Sequence, residues 1–261
     1  FGLTVLAGFG LAALRRGGFV MSVALASVGA RRRALAYLEL TKPRISMLVM
    51  VTAVPALLLA AGGFANPVLF WGTLAGTVIA AGSAASFNHY VDRDIDALMH
   101  RTATRPLPSG VLPPYHAVVV GFTLAALAWV ILMLCANMLA AGIAMASIAY
   151  YAVIYSMWLK RRTPQNIVIG GAAGASAPLI AWAAVSGRVE LPAILLAAIV
   201  FLWTPPHFWA LSLYRREDYL RANIPMLPVT HGEAETRRQI LLYSLVLVPV
   251  TLAVAPLGGA G

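Results

Sequence analysis

From Val68 to Phe87 the chain runs twenty residues without a charge, and this run does most to limit what the chain can fold into. A helix rises about 1.5 Å per residue, so the run covers roughly the 30 Å hydrocarbon core of a bilayer. Comparable runs lie near 45–63, 115–134, 138–158, 167–185, 191–213 and 239–256. Seven spans are therefore expected, in an all-α, polytopic transmembrane bundle. Composition agrees: 61% of residues are apolar and 11% charged, against about 45–50% and about 25% in soluble domains. No long polar segment separates two hydrophobic blocks, so residues 31–261 are expected to form one domain.

The formal charge of +10 raises the question of nucleic acid, and the distribution answers it. Lys and Arg fall in short clusters between apolar runs, at 15–44, 92–105, 160–162 and 215–238, and Arg188 alone lies on the other side. That alternation is membrane topology, and no nucleic-acid partner is expected. The positive-inside rule puts both long polar segments, 88–114 and 214–238, at the cytoplasmic face of a cell (inner) membrane. Tyr37 to Lys42 suits a short interfacial helix ended before Pro43. Cys135 is the only cysteine, which excludes an intrachain disulfide.

The run ending at Phe87 leads into Asn88-His-Tyr-Val-Asp92-Arg-Asp94-Ile-Asp96, where three of the nine acidic residues lie within five positions. Asn88, Asp92 and Asp96, spaced by four, share one helical face. Oxygen ligands at a membrane surface suit Mg²⁺, which takes one or two carboxylates and completes its shell with water or phosphate oxygens. Arg101 and Arg105 follow, and guanidinium forks suit phosphate. Two readings stand on spacing alone: a metal-and-diphosphate site, or a loop in which Asp92, Asp96, Arg101 and Arg105 neutralise one another.

Other candidates are less sharply defined. Lys160, Arg161 and Arg162 could reach a phosphate or simply anchor a span. Glu217 and Asp218 are adjacent, so they point to different helix faces and cannot both hold one ion in a helix; a second metal site and a cytosolic ion-pair cluster both stand as readings. His207 follows Pro205-Pro206 within a span; it could contact haem, carry a proton, or bond inside the bundle. His89 poses the same choice beside the acidic motif. Tyr150, Tyr151, Tyr155, Trp158, Phe201, Trp203, Phe208 and Trp209 could line a cavity that shelters a carbocation, or pack ordinarily.

The Asn88-x-x-x-Asp92-x-x-x-Asp96 pattern, with a second polar loop on the same side, resembles the UbiA superfamily of intramembrane prenyltransferases. Leu40-Thr-Lys-Pro-Arg44, Arg101-Thr-Ala-Thr-Arg-Pro-Leu107, Trp158-Leu-Lys-Arg-Arg-Thr-Pro-Gln-Asn166, Trp203-Thr-Pro-Pro-His-Phe-Trp209 and Ile224-Pro-Met-Leu-Pro-Val229 are similar to its haem-modifying branch. The resemblance covers about residues 35–255. It implies nine helices around a lipid-accessible cavity, and farnesyl transfer from farnesyl diphosphate to a vinyl group of haem B. It places Asn88, Asp92 and Asp96 on Mg²⁺ and the diphosphate, Arg101, Arg105 and Lys160 on phosphate oxygens, and His207 near haem, with Tyr155 and Asp218 as further substrate-binding candidates. Haem A synthase or terminal-oxidase assembly factors are the partners it suggests. A UbiA-type enzyme acting on a quinone or chlorophyll precursor, and a membrane transporter, are the rival expectations. With seven spans instead of nine, the domain is expected to be truncated at its C-terminal end. The sequence begins at Phe1, with its first methionine at Met21, so residues 1–30 are expected to be an extension or the end of an upstream or fused segment.

Overall fold

The computed structural model describes residues 29–254; nearly all of the expected N-terminal extension lies outside the described residues. Helix α1, Ala30–Leu40, is longer than the interfacial helix expected at 37–42. It ends where expected, because Pro43 disfavours helical geometry at the residue before it. Lys42 instead adopts the left-handed conformation, φ 48° and ψ 61°. For a side chain with a Cβ that costs roughly 1–2 kcal/mol.

Helix α2, Pro43–Ala61, starts on Pro43, whose missing N–H is no loss in a first turn, and stops at Gly62 with φ 64°. Asn66 caps α3, Pro67–Leu98, by accepting from the Val68 N–H at 2.8 Å. This helix corrects the expected loop start at Asn88: it continues eleven residues beyond Phe87, so the whole acidic motif is helical. The first polar loop is thereby confined to the stretch between Leu98 and α4, Pro114–Cys135. Helix α5, Met138–Ala149, runs on as a π-helix, Tyr150–Leu159.

The small-residue span expected at 167–185 is two helices, α6 (Asn166–Gly174) and α7 (Ser176–Ser186). Pro178 explains the break. It has no N–H to offer the Gly174 carbonyl, and its ring crowds that group. Helix α8, Leu191–Leu213, contains Pro205 and Pro206. Short α9, Arg216–Arg221, and α10, Leu227–Thr230, occupy the second polar loop, and α11 is Gly232–Leu252. Six stretches are long and apolar enough to span among the described residues, not the expected seven. The seventh falls in α11, whose first two turns are taken up by Glu233, Glu235, Arg237 and Arg238.

In lipid, helices are held by close packing and interhelical hydrogen bonds, because tails are as apolar as leucine. The chain supplies both. A Cβ at Gly76 would sit 2.6 Å from Leu132, and one at Gly121 would sit 2.8 Å from the Phe87 ring. Glycine at these points lets α3 and α4 touch, and Ser83 Oγ donates across the gap to the Gly121 carbonyl at 2.7 Å. Asn137 Nδ2 ties the α4–α5 turn to the Ala183 carbonyl of α7 at 2.7 Å. The buried core is alanine-rich: Ala128, Ala140, Ala144 and Ala183 surround Leu132 and Ile148. Backbones packed this closely hold α3 firmly between α2, α4 and the π-helix.

Candidate active site

Along α3, Thr77, Ala81, Ala84 or Ala85, Asn88, Asp92 and Asp96 recur at steps of three or four, so they lie on one face. The face changes chemistry along its length. Its first part borders an apolar cavity lined also by Ile45, Val49, Ala144, Ile148, Tyr151 and Ile180. Its last part carries the amide and the two carboxylates, all buried.

The polar part is tightly bonded. Asn88 Nδ2 donates to Asp92 Oδ2 at 2.6 Å and to Ser156 Oγ at 3.0 Å. Its Oδ1 accepts from Lys42 Nζ at 2.5 Å. Lys160 Nζ also reaches Asp92 Oδ2, at 2.5 Å. One turn on, Arg105 Nη1 bonds both oxygens of Asp96, at 2.8 and 2.7 Å. Thr102 Oγ1 donates to the Asp96 carbonyl at 2.9 Å, which folds the loop back over its helix.

The π-helix decides which of its residues face α3. Its wider turn closes Lys160 N–H onto the Tyr155 carbonyl, five residues back, at 2.8 Å. Ser156 and Lys160, four apart, thereby meet Asn88 and Asp92. Asn166, itself buried, donates to the Lys160 carbonyl at 3.2 Å and so holds the same residue from behind. Tyr155 fits because Gly170 yields room: a Cβ there would lie 2.7 Å from its ring. Outside this ring of contacts Arg161 grips both oxygens of Asp94, at 2.7 and 2.6 Å.

Electrostatics leave the site short of negative charge. Lys42, Lys160 and Arg105 face two carboxylates, so one positive charge is uncompensated. Burial, and next the Arg105 charge, lower the Lys42 ammonium to about 7. Asp92 Oδ1 is buried and without a hydrogen-bond partner among the described residues, a state that costs about 1–3 kcal/mol or more. The orphaned Asp92 oxygen is a hard donor of the kind a divalent cation takes. Asn88 fits it less well than expected from sequence, since its oxygen is already held by Lys42. No cluster of three His, Cys, Asp or Glu side chains is found among the described residues. Both oxygens of Asp96 are held by Arg105, so Asp92 Oδ1 is the carboxylate oxygen of this pair left open to a cation.

Both sequence readings are visible. Asp96 and Arg105 do neutralise each other, whereas Asp92 keeps a free oxygen. The structure gathers Asn88, Asp92, Asp96, Arg105 and Lys160. Arg101 does not join them; it stands exposed on the loop. Asp218 accepts from the His100 N–H at 3.3 Å, so it ties the second polar loop to the first. Tyr155 is buried behind the site, with its ring 5.1 Å from Tyr151, which lines the cavity. His207 is exposed on α8 and stacks on Trp203 at 4.4 Å. Lys42, Ser156 and Asn166 were missed by spacing arguments. Only the Leu40-Thr-Lys-Pro-Arg44 stretch hinted at Lys42.

Relatives and solved structures show the family and the fold. Protoheme IX farnesyltransferase of Azorhizobium caulinodans is 51% identical over 225 residues, which cover 86% of this chain and 73% of that protein. The apo structure of a UbiA homologue from Aeropyrum pernix K1 superposes with TM-score 0.72 at 21% identity, over 84% of this chain and 81% of that one. A UbiA homologue from Archaeoglobus fulgidus bound to DMAPP and Mg²⁺ gives 0.65 at 17%, over 84% and 77%. At such identities the likeness is one of fold. Residues 49–261, which take in all of α3, the Lys160 segment and the second polar loop, match the UbiA prenyltransferase family, and to that family of multi-pass membrane enzymes the chain belongs.

Proposed function

We propose that the chain transfers the farnesyl group of farnesyl diphosphate to a vinyl group of haem B, releasing diphosphate and giving haem O. The observation that carries the site is Asp92, with one oxygen fixed by Asn88 and Lys160 and the other buried without a partner. The named relative supports the acceptor. Positive-inside topology supports placing the site at the cytoplasmic rim of the cell membrane.

The chemistry follows from charge. Asp92 and Asp96 would hold Mg²⁺, which as a Lewis acid would stabilise the negative charge of the departing diphosphate. Lys160, Lys42 and Arg105 bind the phosphate oxygens, exchanging Asp92, the Asn88 amide and Asp96 in part for substrate. Arg101, exposed on the same loop, would meet the diphosphate as it arrives. Breaking the C1–O bond leaves an allylic cation, which the vinyl π-electrons attack at C1. Water adds to the new cation and loses a proton, giving the hydroxyl. The apolar cavity excludes water from the first cation, and the Tyr151 ring in its wall favours positive charge. His207, stacked and outward-facing, is the candidate for haem contact.

The test is direct. Purified full-length chain with Mg²⁺, farnesyl diphosphate and haem B should yield haem O by mass spectrometry, and Asp92→Ala should yield none while still inserting in the membrane. Wild-type turnover by Asp92→Ala removes the assignment. Transfer to a quinone precursor instead of haem replaces the acceptor.

A further inference from the structure

Ser156 uses its hydroxyl in a way that Thr77, Ser86, Ser212 and Thr236 do not. Each of those buried side chains returns its hydrogen to a backbone carbonyl three or four residues back, at 2.7–2.9 Å, the usual local habit of such residues in a helix. Where a hydroxyl fastens two helices, as Ser83 does, it again donates to the backbone, here to the Gly121 carbonyl. Ser156 is fully buried on the π-helix. Among the described residues no acceptor takes its hydrogen, and its oxygen accepts from the side chain of Asn88, at 3.0 Å. A residue that breaks a local rule with no local gain is expected where function requires it.

The bond completes the Asn88 amide. That group carries two N–H donors, and each is costly to bury unpaired. One goes to Asp92 Oδ2 at 2.6 Å and the other to Ser156. Asp92 Oδ2 therefore takes both Asn88 and Lys160, while Oδ1 stays bare. Lys42 and Lys160 are the members of this network that turn to phosphate. Once they do, Asn88 remains to hold the Asp92 carboxylate, and Ser156 remains to hold Asn88.

We infer that Ser156 is a positioning residue for Asp92: it keeps the Asn88 amide turned so that Oδ1, and not Oδ2, stays the carboxylate oxygen open to a divalent cation. The inference rests on the metal-and-diphosphate reading of Asp92. Ser156 acts only through Asn88, and the property it sets is metal affinity.

The test titrates Mn²⁺, as a paramagnetic substitute for Mg²⁺, into the full chain in nanodiscs with inorganic diphosphate present, and reads bound metal by electron paramagnetic resonance. Ser156→Ala should weaken Mn²⁺ binding by about threefold to tenfold, the weight of one neutral hydrogen bond. Ser156→Cys, close in shape but a poor acceptor, should also weaken it. In an Asn88→Ala background Ser156→Ala should add nothing further, because the two residues act as one unit. Wild-type affinity in Ser156→Ala overturns the inference, and so does a loss of the same size with Asn88 already removed. Wild-type affinity in Ser156→Cys reduces the residue to packing and overturns it too; that variant decides the matter if Ser156→Ala does not fold. Asp92→Ala separates the two readings. Unchanged Mn²⁺ binding there removes the metal reading and the inference with it, whereas a loss there with none in Ser156→Ala overturns the inference alone.

Discussion

Arg161 holds Asp94 through two parallel bonds, 2.7 and 2.6 Å, while its Nη2 also reaches the Val91 carbonyl at 2.8 Å. Neither residue points into the site, yet the bonds fasten the end of the π-helix to α3 one residue from Lys160. The Asp94 bonds also raise the Arg161 pKa.

Arg161→Ala should therefore loosen Lys160 without unfolding the bundle. The pair is partly exposed, so its contribution is about 0.2–1 kcal/mol. Steady-state kinetics should show KM for the prenyl diphosphate rising by up to about fivefold, with little change in the thermal midpoint. Arg161→Lys, which keeps the charge and loses the fork, should recover only part of this. A large fall in kcat at unchanged KM argues against a positioning role.

Binding should depend on pH through Lys42. In the free chain its ammonium is lowered to about 7 by burial and by Arg105. A bound diphosphate favours the charged form and raises that value, so binding above pH 7 takes up a proton. Affinity should then fall as pH rises above 7, by at most about tenfold per unit, and Lys42 should add no slope below it. Calorimetry in two buffers of different ionisation enthalpy measures the uptake. Lys42→Gln should bind more weakly and lose that uptake.

Gly170 is a tolerance point. Alanine there brings a Cβ within 2.7 Å of the Tyr155 ring, and overpacking costs about 1–3 kcal/mol. Gly170→Ala should lower the thermal midpoint by several degrees and slow turnover, because the displaced residue adjoins Ser156, the partner of Asn88. Gly142, where a Cβ meets open space, is the control: Gly142→Ala should be neutral.

Chelation of divalent cations should abolish turnover, and Mg²⁺ should restore it. Asp92→Asn, which keeps shape and removes charge, should leave Lys160 short of its counter-ion at a cost of about 3 kcal/mol. Turnover should fall as well, a loss that added Mg²⁺ repairs only in part. A mild effect in a metal titration argues against Asp92 as a ligand.

The bundle and the acidic face could be read from the sequence because each rests on a short-range rule. Long uncharged runs spell spans, and a spacing of four keeps Asn88, Asp92 and Asp96 together. Lys42 could not be read that way. A residue before proline is expected to be extended, so its left-handed turn toward Asn88 is a tertiary outcome. Ser156 and Lys160 depend on a π-turn, and helical spacing at 3.6 residues gives no sign of one. Arg101 and Arg105 are identical in spacing logic, yet only Arg105 finds Asp96, because Thr102 folds the loop back between them. Proline was informative in both directions: Pro178 broke a span that composition alone had left whole.

Helix α3 carries the alanine wall at one end and the carboxylates at the other, with Gly76 and Ser83 locking it to α4. A single rigid rod therefore carries the apolar wall and the charged groups alike. Rotating or sliding it moves both together, so the two cannot drift apart by separate small changes.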